Sequence, residues 1–154
     1  MDLENLILIV DDREDDQLLL ERMLRNLGVM NPIQTLSDGQ EAVRYLKGDP
    51  PYSDRKKYPL PLVLFLDLKL PLFDGWQVLD WIYLHSQKTQ SYIFIYTVLS
   101  SSEEIRTVYR LGANSLLHKP LREPDLLKLL QHFPKAWMMH EYSRSLANDL
   151  TYPP

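Results

Sequence analysis

The chain has 154 residues, 45% apolar and 25% charged, with a formal net charge of −4, the composition of one ordinary globular domain. The mildly acidic balance, without a basic stripe, argues against nucleic acid as a partner. The absence of cysteine excludes disulfides, thiolate metal sites and thiol catalysis, and no apolar run approaches the ~20 residues of a membrane span.

Residues 6–10 (LILIV) are apolar at every position, as suits a strand buried on both faces of a parallel sheet. The N-terminus has no basic region before this run, which ends in two aspartates. It reads as a first strand and not a signal peptide, which fits a cytoplasmic protein. Leu19, Met23, Leu24 and Leu27 then recur at helical spacing, with Gly28 as a stop. Residues 32–36 (PIQTL) form a weaker strand pattern, and Asp38 can cap a helix carrying Ala42, Val43 and Leu46, closed by Gly48. Residues 48–61 (GDPPYSDRKKYPLP) read as a long surface loop, followed by a third strand at residues 62–66 (LVLFL). A helix over residues 75–85 places Val78, Leu79 and Ile82 on one face. Residues 92–96 (YIFIY) give the fourth strand. A Ser-x-x-Glu capping box from Ser101 to Glu104 opens the next helix, which ends at Gly112. Residues 115–118 (SLLH) make a short fifth strand, and Pro124 suits the first turn of a helix carrying Leu126, Leu127 and Leu130. Beyond Phe133, the spacing of Met138, Tyr142, Leu146 and Leu150 predicts an added amphipathic helix. Its apolar face either packs back on its own domain or forms a homodimer.

Five repeats of short strand and helix predict an α/β protein with a doubly wound parallel sheet. Ligands of such sheets bind beyond the C-terminal strand ends, where strand order reverses. There the first strand runs into Asp11-Asp12, the third into Asp67, the fourth into Thr97 and the fifth into Lys119-Pro120. Clustered carboxylates repel unless one is protonated or a cation sits among them. Oxygen-only ligands with room for water favour Mg²⁺. Asp67 can attack phosphorus as a carboxylate nucleophile. The metal, the Lys119 ammonium and the Thr97 hydroxyl can each meet one equatorial phosphoryl oxygen. Pro120 would fix the chain after Lys119, by a cis peptide if needed.

These residues, with the Asp67–Pro71 segment DLKLP, the Asp74-Gly75 pair and the LGAN segment ending at Asn114, closely resemble the signature of bacterial two-component response-regulator receiver domains. The resemblance covers about residues 5 to 133. It implies a flavodoxin-like five-stranded sheet of order 2-1-3-4-5, with Asp67 as phosphoacceptor and Thr97 and Lys119 as its helpers. It implies Mg²⁺ held by Asp11, Asp12, Asp67 and the backbone carbonyl of Lys69. A receiver of this kind is not an enzyme beyond its own phosphorylation and dephosphorylation. Its partner is a sensor histidine kinase or phosphotransfer protein. The proline-rich loop before the Asp67 strand resembles the single-domain regulators found beside cyanobacterial phytochrome kinases. Residues 1–133 are then the receiver and residues 134–154 an extension, with no separate output domain. The signal leaves by contact with a downstream protein or by onward phosphotransfer.

Two positions depart from the family pattern. The switch position three before the lysine is Leu116 and not an aromatic residue, and Lys69 is long and cationic two residues after the acceptor. Lys69 is expected to restrict or reorient the hydrolytic water and so to change the lifetime of the phosphoryl group. Elsewhere, Glu14, Asp15 and Asp16 are expected to favour a helix N-terminus through its dipole, Asp74-Gly75 to make a turn and helix start, and the four histidines to be surface or strand-edge residues. Two other functions compete. A haloacid-dehalogenase-like phosphatase also uses a strand-end aspartate, but needs a second aspartate where Lys69 stands. A phosphorylation-independent interaction module would keep the fold alone.

Overall fold

A computed structural model describes residues 3–85, 90–98 and 101–140. The continuous apolar runs become central strands because both of their faces are covered. Strand β1 (Ile7–Val10) and strand β3 (Val63–Leu66) are buried at every position. Strands β2 (Ile33–Leu36), β4 (Tyr92–Thr97) and β5 (Ser115–His118) complete a parallel sheet of order β2-β1-β3-β4-β5. Helices α1 (Glu14–Asn26), α2 (Gly39–Lys47), α3 (Gly75–Leu84), α4 (Ser102–Arg110) and α5 (Glu123–His132) alternate with them. The expected flavodoxin-like fold is therefore present.

Successive strand residues point to opposite faces, which sorts the core into two layers. Leu8, Val10, Leu64, Leu66, Ile93 and Ile95 pack with Val43, Val78 and Val108 of α2, α3 and α4. Ile7, Ile9, Phe65, Phe94 and Tyr96 pack with Leu20 and Leu24 of α1 and with Leu126 and Leu130 of α5. Sheet order reverses between β1 and β3, and Val10 pairs with Leu66. Asp11 and Asp67 therefore leave neighbouring strands at the same edge.

The helix signals act locally as expected. Asp38 accepts from the Glu41 amide, Asp74 forms a capping box with Gln77, and Ser101 accepts from the Glu104 amide. Gly75 has a tertiary reason: a Cβ there would collide with the Asp67 carbonyl oxygen and Leu68 Cα. The start of α3 thus lies directly on the chain that follows β3. Among the described residues, no helix is long and apolar enough to cross a membrane.

Two expectations change. The 48–61 loop is irregular but is not merely a surface excursion. Tyr52 is buried, and its ring lies 5.0 Å from that of Tyr45 and 5.1 Å from that of Tyr58. Arg55 donates to the carbonyls of Tyr45 and Leu46 in the last turn of α2, where carbonyls run out of intrahelical amide partners; the Gly48 amide also donates to the Tyr45 carbonyl. The loop is a clasp on that helix. The second change concerns the chain after Phe133. A 3-10 turn (Pro134–Ala136) leads into an extended segment in which Met139 pairs antiparallel with Val29, so no helical stripe starts at Met138. Trp137 is buried in this segment and lies against Phe65 and Phe94, with centroids 6.1 and 5.6 Å away. Buried Asn31 fixes the segment, donating to the Ala136 carbonyl and accepting from the Met138 amide. Tyr142, Leu146 and Leu150 lie outside the described residues.

Residues 134–140 are thus part of the core packing. A chain ending at Phe133, or Trp137→Ala, should lose roughly 3–5 kcal/mol of stability, the usual cost of truncating a buried large aromatic residue. Urea unfolding followed by circular dichroism will measure it, and an unchanged midpoint would contradict this role.

Candidate functional site

Each site residue stands where a strand stops pairing and its backbone is free to turn. Asp11 follows β1, and its amide donates to the Leu36 carbonyl at 3.1 Å. Its side chain is fully buried. Asp11 Oδ1 accepts from the Arg13 amide at 3.0 Å. Asp11 Oδ2 accepts from the Tyr96 hydroxyl at 2.7 Å and from Lys119 Nζ at 2.6 Å. Asp67 follows β3. Its Oδ1 accepts from the Thr97 hydroxyl at 2.6 Å and the Lys69 amide at 3.0 Å, and its Oδ2 accepts from Lys119 Nζ at 3.0 Å. Lys119 follows β5, where its amide donates to the Thr97 carbonyl at 3.0 Å, and the Lys119–Pro120 bond is cis. Asp12 is exposed beside this group, and Asp11, Asp12 and Asp67 each offer a carboxylate oxygen within 4.8 Å of the others. A cleft of about 450 Å³ opens over Asp12, Asp67, Lys69, Thr97 and Lys119.

Six residues singled out from the sequence, Asp11, Asp12, Asp67, Thr97, Lys119 and Pro120, thus lie at one sheet edge. Lys69 joins them through its backbone amide, with its side chain exposed on the cleft. Leu116 lies elsewhere: it pairs with Ile95 and packs, half-buried, on the core layer under α2, α3 and α4.

Two residues of the site were not foreseen. Asp16 was expected only to favour the α1 N-terminus, yet its Oδ2 accepts from Lys119 Nζ at 2.9 Å. Its position in the first turn of α1 aims it at the strand ends, which only the packing of α1 on the sheet makes visible. Tyr96 was read as one more apolar strand residue. A polar-tipped ring immediately before the strand-end threonine was the available signal.

The electrostatics follow from burial and pairing. Burial pushes the Asp11 carboxyl above its ordinary value, against the lowering effects of Lys119, the Arg13 amide and Tyr96. Burial alone would lower the Lys119 ammonium, but its hydrogen bonds to Asp11, Asp16 and Asp67 outweigh it and hold the pKa above the ordinary lysine value. Burial, followed by the charge of Asp11, raises the Tyr96 phenol, so it stays a donor at neutral pH.

Lys119→Met should therefore leave several carboxylates without their cation and cost about 3 kcal/mol at pH 8, as breaking a buried ion pair does. Lys119 is raised on folding, so its stabilisation is complete below the unfolded lysine value of ~10.4 and is lost only as pH rises through the folded value. Asp11 is also raised, so the folded state of the variant takes up a proton first as pH falls. The deficit should then shrink towards pH 5. Unfolding midpoints of both proteins across this range, in EDTA, provide the measurement. A deficit that grows on acidification would contradict it.

The family model for the response regulator receiver domain matches residues 7–131. The probable methanogenesis regulatory protein FilR2 of Methanothrix harundinacea is 30% identical over 133 residues, covering 86% of this chain and 83% of that protein. The crystal structure of the Mn²⁺-bound form of response regulator Rcp1, a Synechocystis protein, is similar with a TM-score of 0.70 and 27% identity over 84% of this chain and 91% of that one. The bacteriophytochrome response regulator AtBRR is similar with a TM-score of 0.74 and 27% identity, covering 88% of this chain and 96% of its own. A family match over most of the chain, residues 7–131, on the sheet order and strand-end residues described above, makes this protein a member of the response regulator receiver family.

Proposed function

We propose that this chain is a response-regulator receiver that accepts a phosphoryl group on Asp67, in a Mg²⁺-dependent reaction, from a histidine kinase or phosphotransfer protein. The observation that carries this reading is the setting of Asp67: a buried carboxylate met by the Thr97 hydroxyl, the Lys69 amide and the Lys119 ammonium, beside Asp11 and Asp12. An Asp67 oxygen attacks the phosphorus of a phosphohistidine, a P–O bond forms as the P–N bond breaks, and the imidazole leaves with the electron pair. Lys119 turns from Asp67 to a phosphoryl oxygen, and the Thr97 hydroxyl donates to another. Both groups neutralise charge that phosphoryl transfer places on those oxygens.

An all-oxygen donor set of Asp11, Asp12 and Asp67, with the Lys69 carbonyl, fits a hard divalent cation. Mg²⁺ bound there would supply further charge neutralisation for the incoming phosphoryl group. The Mn²⁺-bound form of Rcp1 supports a divalent ion at such a site. Similarity to a response regulator in red light signalling and to a cyanobacterial phytochrome response regulator supports a phytochrome-type kinase as donor. In this reading residues 1–133 act as the receiver and 134–154 as an extension, of which residues 134–140 complete the receiver's core packing. The cytoplasm is the proposed compartment, with signalling by contact with a downstream protein, by homodimerisation or by onward phosphotransfer.

A second reading, a module that binds partners without being phosphorylated, is favoured by Leu116, which gives Thr97 no aromatic ring to couple with. Intact-protein mass after incubation with Mg²⁺ and acetyl phosphate or phosphoramidate separates the two. A single phosphoryl adduct lost in Asp67→Asn and in EDTA is expected. No adduct on folded, Mg²⁺-binding protein would favour the second reading. The exposed Lys69 side chain on the cleft restricts or reorients the hydrolytic water in this reading, so Lys69→Asn should change the phosphoryl lifetime, followed as loss of the adduct with time. An unchanged rate would remove that role.

A further inference from the structure

Tyr96 touches two groups of the site from underneath. Its ring is 1% exposed and stands edge-on to Phe65, with centroids 6.1 Å apart. Its hydroxyl nevertheless leaves this apolar layer and donates to Asp11 Oδ2 at 2.7 Å, while Lys119 Nζ lies over the ring, 4.7 Å from its centroid. A buried tyrosine needs a partner for its hydroxyl, and any nearby backbone carbonyl would serve. The partner here is a fully buried carboxylate at the functional edge.

Among the described residues, Asp11 Oδ2 has two donors, Tyr96 and Lys119. Lys119 also serves Asp16 and Asp67, and in phosphoryl transfer it must turn towards the phosphoryl oxygens. Among the described residues, the Tyr96 hydroxyl donates to Asp11 alone. Of the two donors, it is the one that stays on Asp11 when Lys119 moves. The Arg13 amide holds the other oxygen, so the carboxylate is fixed at both ends.

We propose that Tyr96 is a positioning residue that holds the Asp11 carboxylate in the orientation in which it binds a divalent cation. This rests on the reading of Asp11 as a metal ligand. Hydrogen-bonded partners of metal ligands set ligand orientation, and their loss typically weakens metal affinity 10–100-fold. Tyr96→Phe keeps the ring, its packing on Phe65 and its face towards Lys119, and removes only the donor.

The test is Mg²⁺ binding by calorimetry to the unphosphorylated wild-type chain, Tyr96→Phe and a packing control, Phe65→Leu. The Mg²⁺ dependence of phosphorylation by acetyl phosphate is measured on the same proteins. Tyr96→Phe is expected to bind Mg²⁺ about tenfold more weakly or worse. Its half-saturating Mg²⁺ should rise in step, with the maximal rate regained at saturating metal. Phe65→Leu should be less stable but keep the wild-type Mg²⁺ affinity. If Tyr96→Phe binds Mg²⁺ as wild type does, or if Phe65→Leu loses as much affinity as Tyr96→Phe, the inference is overturned while the metal reading stands. A folded wild-type chain that binds no Mg²⁺ overturns the metal reading and the inference together.

Discussion

Lys119 directs its ammonium at three carboxylates from three different elements: Asp11 after β1, Asp16 in α1 and Asp67 after β3. Like charges gathered in a cleft of low polarisability would drive those elements apart. One cation reached from β5 keeps them together, with the Thr97 hydroxyl and two backbone amides taking up further lone pairs. The edge is therefore held by charge compensation, whereas the rest of the molecule is held by apolar burial. Such an arrangement responds to anything that adds or removes charge there. In the proposed reading, a metal ion and a phosphoryl group do so, and Lys119 changes partners to follow them.

The sheet makes this compensation possible. Parallel strands all end on the same side, and in the order 2-1-3-4-5 the two strands that carry Asp11 and Asp67 are neighbours. Four of the five strands then bring a functional side chain to one edge without any of them crossing the core. Tyr96 links that edge to the apolar layer below: its ring packs with Phe65 while its hydroxyl holds Asp11. The same layer receives Trp137, so the chain beyond α5 is anchored to the aromatic cluster on which Tyr96 rests.

Stability elsewhere comes from small devices that close open ends. Arg55 reaches back from the proline-rich loop to the terminal carbonyls of α2. Buried Asn31 joins the carbonyls of Asn5 and Ala136 and the amide of Met138, tying the residue before β1 and the segment after α5 to the turn after α1. These contacts lie away from the cleft, which leaves the functional edge free to rearrange while the scaffold stays fixed.

The sequence by itself determined the strands, the helix caps and the strand-end residues, because each is a local property. Apolar runs, capping residues and the order of Asp11, Asp12, Asp67, Thr97, Lys119 and Pro120 are all visible within a few residues of chain. Periodicity did not carry the chain just after α5: Met138 opens the predicted stripe, yet it stands in an extended segment beside buried Trp137, and the rest of the stripe lies outside the described residues. The roles of Asp16 and Tyr96 were decided only by the tertiary structure. Asp16 looks like a helix-dipole residue and Tyr96 like core until α1 and β4 are packed around Lys119 and Asp11. Which of many acids and rings meets one buried charge depends on distances across elements, and spacing along the chain does not carry them.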